Sequence, residues 1–236
     1  MVLTALVGYV LGARGDSSLW IGLAAVVGTA LSAFGANILN QWWEVERDRL
    51  MHRTRSRPLP SGRVDRRVAL VWGVVTVVAG LAILAIGTNR LTTGLSLFVV
   101  LLYVLVYTPL KVRTPLNTVV GAVCGAIPPM MGWAAATGGL EAGAWILGGI
   151  LFVWQIPHFL ALAWMYREDY ERGGFRMLPA VDLEGRLTGR LAFVYATALL
   201  PITAALSATG VTGGIFLFVS QVIGIGFLAL GWAFLR

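Results

Sequence analysis

The chain has 236 residues, 58% of them hydrophobic and only 12% charged, with a mean hydropathy of +0.80. A soluble domain carries about 25% charged residues, so this composition excludes a water-solvated fold and makes the bilayer the natural solvent. In such a chain the formal net charge of +7 reports loop orientation rather than binding to nucleic acid.

Residues 2–12 (VLTALVGYVLG) are apolar but short, and read as the tail of a first helix whose start is missing or shorter than usual. Stretches of about 20 apolar residues mark helices that cross the hydrocarbon core. They are predicted at 17–43, 68–87, 91–109, 116–137, 142–165, 189–209 and 212–235. The expectation is one all-α, polytopic transmembrane bundle over residues 1–236, with about eight helices in two four-helix halves around a central cavity. Cys124, the single cysteine, excludes an internal disulfide framework and reads as a buried thiol. Pro128-Pro129 and the glycines at 121, 125 and 132 suggest a bent, closely packed fifth helix.

When the chain alternates sides, Arg14 and Arg90 of the 18 Lys and Arg, and Asp16 and Glu141 of the 11 Asp and Glu, fall on one side. The positive-inside rule makes the other side cytoplasmic. The N-terminus shows no signal or transit segment, which points to a bacterial or archaeal plasma membrane. Two loops hold most of the charge, 44–67 and 166–190, each following the second helix of a half. Their equivalent positions suggest two similar halves around a shared site.

Asn40, Glu44 and Asp48 are spaced i, i+4, i+8, which places three oxygen-bearing side chains near one face of a helix. A solvated helix end would explain one of them. Three together suit a hard cation such as Mg²⁺, which is held by one or two carboxylates and substrate phosphates. Glu168, Asp169 and Glu171 form a second acidic cluster, and two such clusters in one cavity need a cation between them. Arg47, Arg49, Arg53, Arg55 and Arg57, with Lys111 and Arg113, interleave with the acids. Positive-inside topology and anionic lipid account for most of these cations, but a departing diphosphate also calls for Arg forks. His158, beside Pro157 in an apolar helix, reads equally as a satisfied core side chain or a haem ligand. Trp154, Phe159, Trp164, Tyr103 and Tyr107 are candidates for lining a cavity and facing a carbocation.

Asn40-x3-Glu44-x3-Asp48, followed by Met51-x-Arg53-Thr54-x-x-Arg57-Pro58-Leu59, resembles the first motif of UbiA-type intramembrane prenyltransferases. Tyr107-Thr-Pro-Leu-Lys111, the stretch from Asn117 to Pro129, and Trp154-Gln-x-Pro-His-Phe159 leading into Arg167-Glu-Asp-Tyr170 resemble the branch that farnesylates haem, the protoheme IX farnesyltransferases or haem o synthases. The resemblance spans essentially the whole chain. It implies nine helices, of which the ninth and the start of the first are missing here. Farnesyl diphosphate and haem b are the implied substrates, with Mg²⁺ as cofactor, and partners in haem a synthesis or cytochrome oxidase assembly are expected. It implies that Asn40, Glu44, Asp48 and Asp169 are catalytic, with Glu168 joining them around the metal. Arg53, Arg57, Lys111, Asn117, His158, Arg167 and Tyr170 are the implied substrate contacts. Glu44 stands where many superfamily members have Asp, and Gly173 where a second full Asp-x3-Asp would end. Two rivals remain at this point: a prenyltransferase acting on an aromatic quinone precursor, and a cation-coupled secondary transporter.

Overall fold

The computed structural model of the chain describes residues 1–16 and 18–235. Ser17, at the predicted start of the second span, and Arg236 lie outside the described residues. Among those residues every regular element is helical: α1 (Val2–Ala13), α2 (Leu19–Asp48), α3 (Arg66–Gly87), α4 (Arg90–Leu110), α5 (Asn117–Thr137), α6 (Ala142–Met165), the short α7 (Arg167–Arg172) and α8 (Leu178–Val181), α9 (Arg186–Ala208) and α10 (Gly214–Leu235). Seven of them are long and apolar enough to cross a membrane, and α1 is a shorter apolar helix. Exposed large apolar side chains such as Trp72, Ile86, Leu101 and Ile215 form the outer surface, as lipid contact demands.

Local chemistry sets the helix starts. Asp65 caps α3 by accepting from the backbone N–H of Arg67 and Val68, at 2.8 and 3.2 Å. Asn89 caps α4 by accepting from Thr92 N at 2.9 Å, and its amide donates to Ala134 O at 2.6 Å, tying α4 to α5. The largest departure from the predicted bounds is at α2. Its 30 residues extend about 45 Å, well beyond a hydrocarbon core of about 30 Å. The helix therefore carries Glu44 and Asp48 on its last turns instead of releasing them into a loop.

Where lipid removes the hydrophobic drive, helices associate through small residues. Gly28 and Gly35 of α2 face Gly80 and Gly73 of α3. A Cβ on Gly35 would lie 2.6 Å from Gly73 O, and one on Gly80 would lie 2.7 Å from Gly28 O. In the same way α1 crosses α5, with Gly8 seated on the Pro129 carbonyl and Gly132 on that of Ala5. The first half is α1 to α4 and the second is α5, α6, α9 and α10. Helix α5 is the most enclosed, packing on α1, α4 and α6, and it keeps its helical form through Pro128 and Pro129.

Helix α4 contains a π turn over Leu102–Tyr107, where Thr108 N–H reaches back to Tyr103 O. Pro109 follows immediately. A proline lacks the N–H of a normal helical bond and its ring crowds the carbonyl four residues earlier, and the wider turn accommodates both defects.

Candidate active site

The last turns of α2 project Asn40, Glu44 and Asp48 along one buried face, 6%, 5% and 1% exposed. Opposite them stand Tyr103, Tyr107 and Lys111 of α4 and the turn after it. Together with Arg53, Arg57, Tyr170 and Phe175 they enclose a polar cavity of about 190 Å³.

Contacts across this cavity are charge-complementary. Lys111 Nζ sits 3.0 and 3.1 Å from the two carboxylate oxygens of Glu44 and over the Tyr107 ring, 4.7 Å from its centre. Tyr103 and Tyr107 are stacked, with ring centres 5.2 Å apart. Glu44 Oε1 is buried without a hydrogen bond of good geometry, although the ammonium is close. Arg57 Nη1 donates to Asp48 Oδ2 at 2.9 Å. Asn40 Nδ2 donates to Thr108 Oγ1 at 2.9 Å, and that hydroxyl donates to Tyr103 O at 2.8 Å. Thr108 thus sets the orientation of Asn40, a role that was not apparent in the linear motif containing it.

The second charged loop closes over the first. Asp169 accepts the backbone N–H of His52 at 3.1 Å and of Arg53 at 2.9 Å. The Arg53 backbone amide, aided by that of His52 and by the Arg172 guanidinium, holds this carboxyl below its usual 3.8 despite its burial. Arg53 lies over the rings of Tyr166 and Tyr170, at 5.2 and 5.6 Å. Arg47 Nη1 donates to Gly173 O at 3.1 Å. Gly174 follows with φ +69°, where a Cβ would meet that same guanidinium at 2.9 Å. Met51, Ala163, Phe175 and Met177 form the apolar floor beneath the join. Asn117, 1% exposed, donates to Thr114 O and Arg176 O at 2.7 and 3.1 Å, fastening the loop to the start of α5.

The expected site residues therefore separate. Asn40, Glu44, Asp48, Arg53, Arg57, Lys111 and Tyr170 share the cavity. Asp169, Glu168 and Arg167 line an open groove beside it, with His52, Trp164 and Tyr166. Asp169 spends its lone pairs on backbone amides, and Glu168 is solvated, 3.9 Å from Arg172. Asn117 is a structural fastener. His158 is exposed on α6, stacked on Trp154 with ring centres 5.2 Å apart. Of the five candidate aromatics, Tyr103 and Tyr107 line the cavity and Trp164 lines the groove.

Among the described residues no three His, Cys, Asp or Glu side chains gather as a ready metal cluster. The cavity instead offers two carboxylates and an amide, all hard oxygen donors, one of them an under-satisfied buried oxygen. That set fits Mg²⁺, which takes its remaining ligands from phosphate and water.

The UbiA prenyltransferase family matches residues 1–236. The chain is 46% identical over 209 residues to a protoheme IX farnesyltransferase of Solibacter usitatus, covering 89% of this chain and 72% of that one. It is also 46% identical over 212 residues to the mitochondrial protoheme IX farnesyltransferase of Homo sapiens, covering 90% of this chain. The chain spans about half the length of that human relative, 47%. Its fold is similar to that of a UbiA homologue from Archaeoglobus fulgidus solved with GPP and Mg²⁺, with TM-score 0.71, 16% identity, and coverage of 99% of this chain and 94% of the other.

Proposed function

The chain belongs to the UbiA prenyltransferase family, and from that premise we propose that it transfers the farnesyl group of farnesyl diphosphate to a vinyl group of protoheme IX (haem b), with addition of water, to make haem o. The observation that carries this reading is 46% identity, over most of the chain, to relatives named for that reaction. The site chemistry agrees. The cavity pairs hard oxygen donors with cations and stacked aromatic faces and contains no nucleophile–base pair, which suits ionisation of an allylic diphosphate rather than covalent catalysis.

Asn40, Glu44 and Asp48 would hold Mg²⁺, and the bound ion would supply charge neutralisation for the diphosphate as it leaves. Arg53, Arg57 and Lys111 present donors to diphosphate oxygens, and they stabilise charge that grows in the transition state. The stacked Tyr103–Tyr107 pair, with Lys111 over the Tyr107 ring, borders the cavity where the allylic cation would form, and its aromatic electron density would favour that cation. Asp169 keeps the two loops joined above this centre, Asn117 fastens the second of them to α5, and the closed loops would limit access of water. His158, open on the outer face of α6, is assigned to the haem iron, with Arg167 and Tyr170 nearer the haem edge. The charged loops are assigned to the cytoplasmic side of a plasma membrane by their excess of Lys and Arg.

The test supplies farnesyl diphosphate and Mg²⁺ with either protoheme or 4-hydroxybenzoate to the purified protein and identifies products by mass. Haem o from the first mixture and nothing from the second is expected. A farnesylated hydroxybenzoate with unchanged protoheme would move the assignment to the quinone-precursor enzymes.

A further inference from the structure

The polar stripe of α2 does not stop at Asn40. Further along α2 it continues through the exposed Asn37 to the buried Ser32 and Thr29, and Ser96 of α4 borders the same space. Thr29 Oγ1, Ser32 Oγ and Ser96 Oγ are enclosed and without a hydrogen-bond partner, in residues 4%, 3% and 0% exposed. All three residues line one cavity of about 80 Å³ between α2, α4 and α5, whose lining includes the exposed Asn37 and Met1 and whose other walls are mainly apolar, among them Val99 and Met131. Asn37 and Tyr103 line both this cavity and the polar one above it, so the two share a wall. At that junction the Tyr103 hydroxyl donates to Asn37 Oδ1 at 3.2 Å.

Serine and threonine in a helix commonly bond back to the carbonyl one turn earlier, as Thr76 and Thr88 do here. The three inner hydroxyls do not. Buried polar groups without a protein partner call for ordered water, and a water needs only about 10–15 Å³ measured in this way. The inner cavity therefore has room for more than one water, and the three hydroxyls on its wall have bonding capacity to spare.

We propose that Thr29, Ser32 and Ser96 hold the water that is added to the haem side chain. This rests on the haem-farnesylation reading above. In that reaction the bond between farnesyl C1 and the diphosphate oxygen breaks, and the electron pair leaves with diphosphate. C1 bonds to the terminal vinyl carbon, leaving a cation on the inner vinyl carbon. The oxygen of the held water bonds to that carbon, and the proton it sheds passes to the departed diphosphate. Without a held water the cation loses a proton from the neighbouring carbon and becomes an alkene, one water lighter. A broad path to bulk water would let the allylic cation be captured before transfer. A few waters beside these hydroxyls, in a cavity that shares its Asn37 and Tyr103 wall with the diphosphate cavity, would supply the second cation without such a path.

The test compares wild type with the double variant Thr29→Val/Ser96→Ala, supplied with farnesyl diphosphate, Mg²⁺ and protoheme, reading diphosphate release and product masses. The expected result is release within about twofold of wild type, with the hydrated share of product down about tenfold and the alkene in its place. Thr29→Ser keeps a hydroxyl and loses a methyl, so it should retain the hydrated product and thereby separate hydroxyl from packing. An unchanged hydrated share in the double variant overturns the proposal. So does a double variant that releases no diphosphate, because the hydroxyls would then act before any product cation exists. Failure of the wild type to alter protoheme at all would instead overturn the reaction assigned above.

Discussion

Glu44 and Lys111 meet across the cavity although 67 residues separate them in the chain. Their side chains are only 6% and 12% exposed, so each is the main compensation for burying the other. Removing one partner of such a pair costs about 3–5 kcal/mol, because the other charge stays buried. Lys111→Met should therefore lower the melting temperature in detergent when metal is absent, and Mg²⁺ should raise it more in the variant than in wild type, where the ammonium must first give way. Equal Mg²⁺ shifts in both proteins would contradict a metal seat at Glu44. Asp169 calls for a different experiment. Its folded pKa lies below the usual 3.8, so its stabilisation of the loop is complete above that value and is lost as pH falls through the lower folded one. Hydrogen exchange at the His52 and Arg53 amides should be governed by the same protection from about pH 5 to 8 and lose it only in strong acid. In Asp169→Ala that protection should be absent at neutral pH, and KM for farnesyl diphosphate should rise about tenfold. The i, i+4, i+8 spacing made Asn40, Glu44 and Asp48 legible in advance because helical geometry alone aligns them. The partners of Asp169 were not legible, since they are backbone amides over a hundred residues away and leave no trace in residue type.

At the level of elements, the spans were readable to within a few residues because long apolar runs in lipid have few alternatives. The π turn was not readable, although Pro109 marked its neighbourhood. One additional residue in a helical turn rotates everything beyond it by about 100°. The direction in which Thr108 and Lys111 face thus depends on the six residues Leu102–Tyr107. Deleting one residue, Leu105 or Val106, should restore a regular α-helix and swing Thr108 and Lys111 off the cavity. Diphosphate release should fall at least about a hundredfold, while the protein still purifies as a folded species in detergent. Undiminished release would show that the facing of Lys111 does not matter. The glycine contacts lead to a simpler outcome. At Gly35 an alanine methyl would press on the Gly73 carbonyl at 2.6 Å, and such overpacking costs about 1–3 kcal/mol. Gly35→Ala should lower the melting temperature, whereas Gly94→Ala, with open space around it, should not.

For the whole molecule, the two sets of four helices meet along α5, which packs on α1, α2 and α4, and the joined charged loops put the site at one end of the bundle. Single cysteines at Ser56 and Leu183, both exposed, in a Cys124→Ala background should both resist an impermeant thiol reagent applied to intact cells and react after the cells are opened. Labelling of either from outside would reverse the orientation. The charge bias predicts this orientation, whereas the pairing of helices across the halves depended on small residues whose partners a linear pattern does not name. One such pairing bears on how the protein is made. Gly8 and Gly132 belong to helices α1 and α5, which grip each other backbone to backbone. At the usual pace of about 5–20 residues per second, the ribosome emits the second on the order of ten seconds after the first. Throughout that interval α1 has only α2 to lean on, its glycine-lined side still turned toward lipid. The nascent protein thus waits with an open seam that its fifth helix closes, and a chain halted before that helix emerges would leave the seam available to a neighbouring polypeptide.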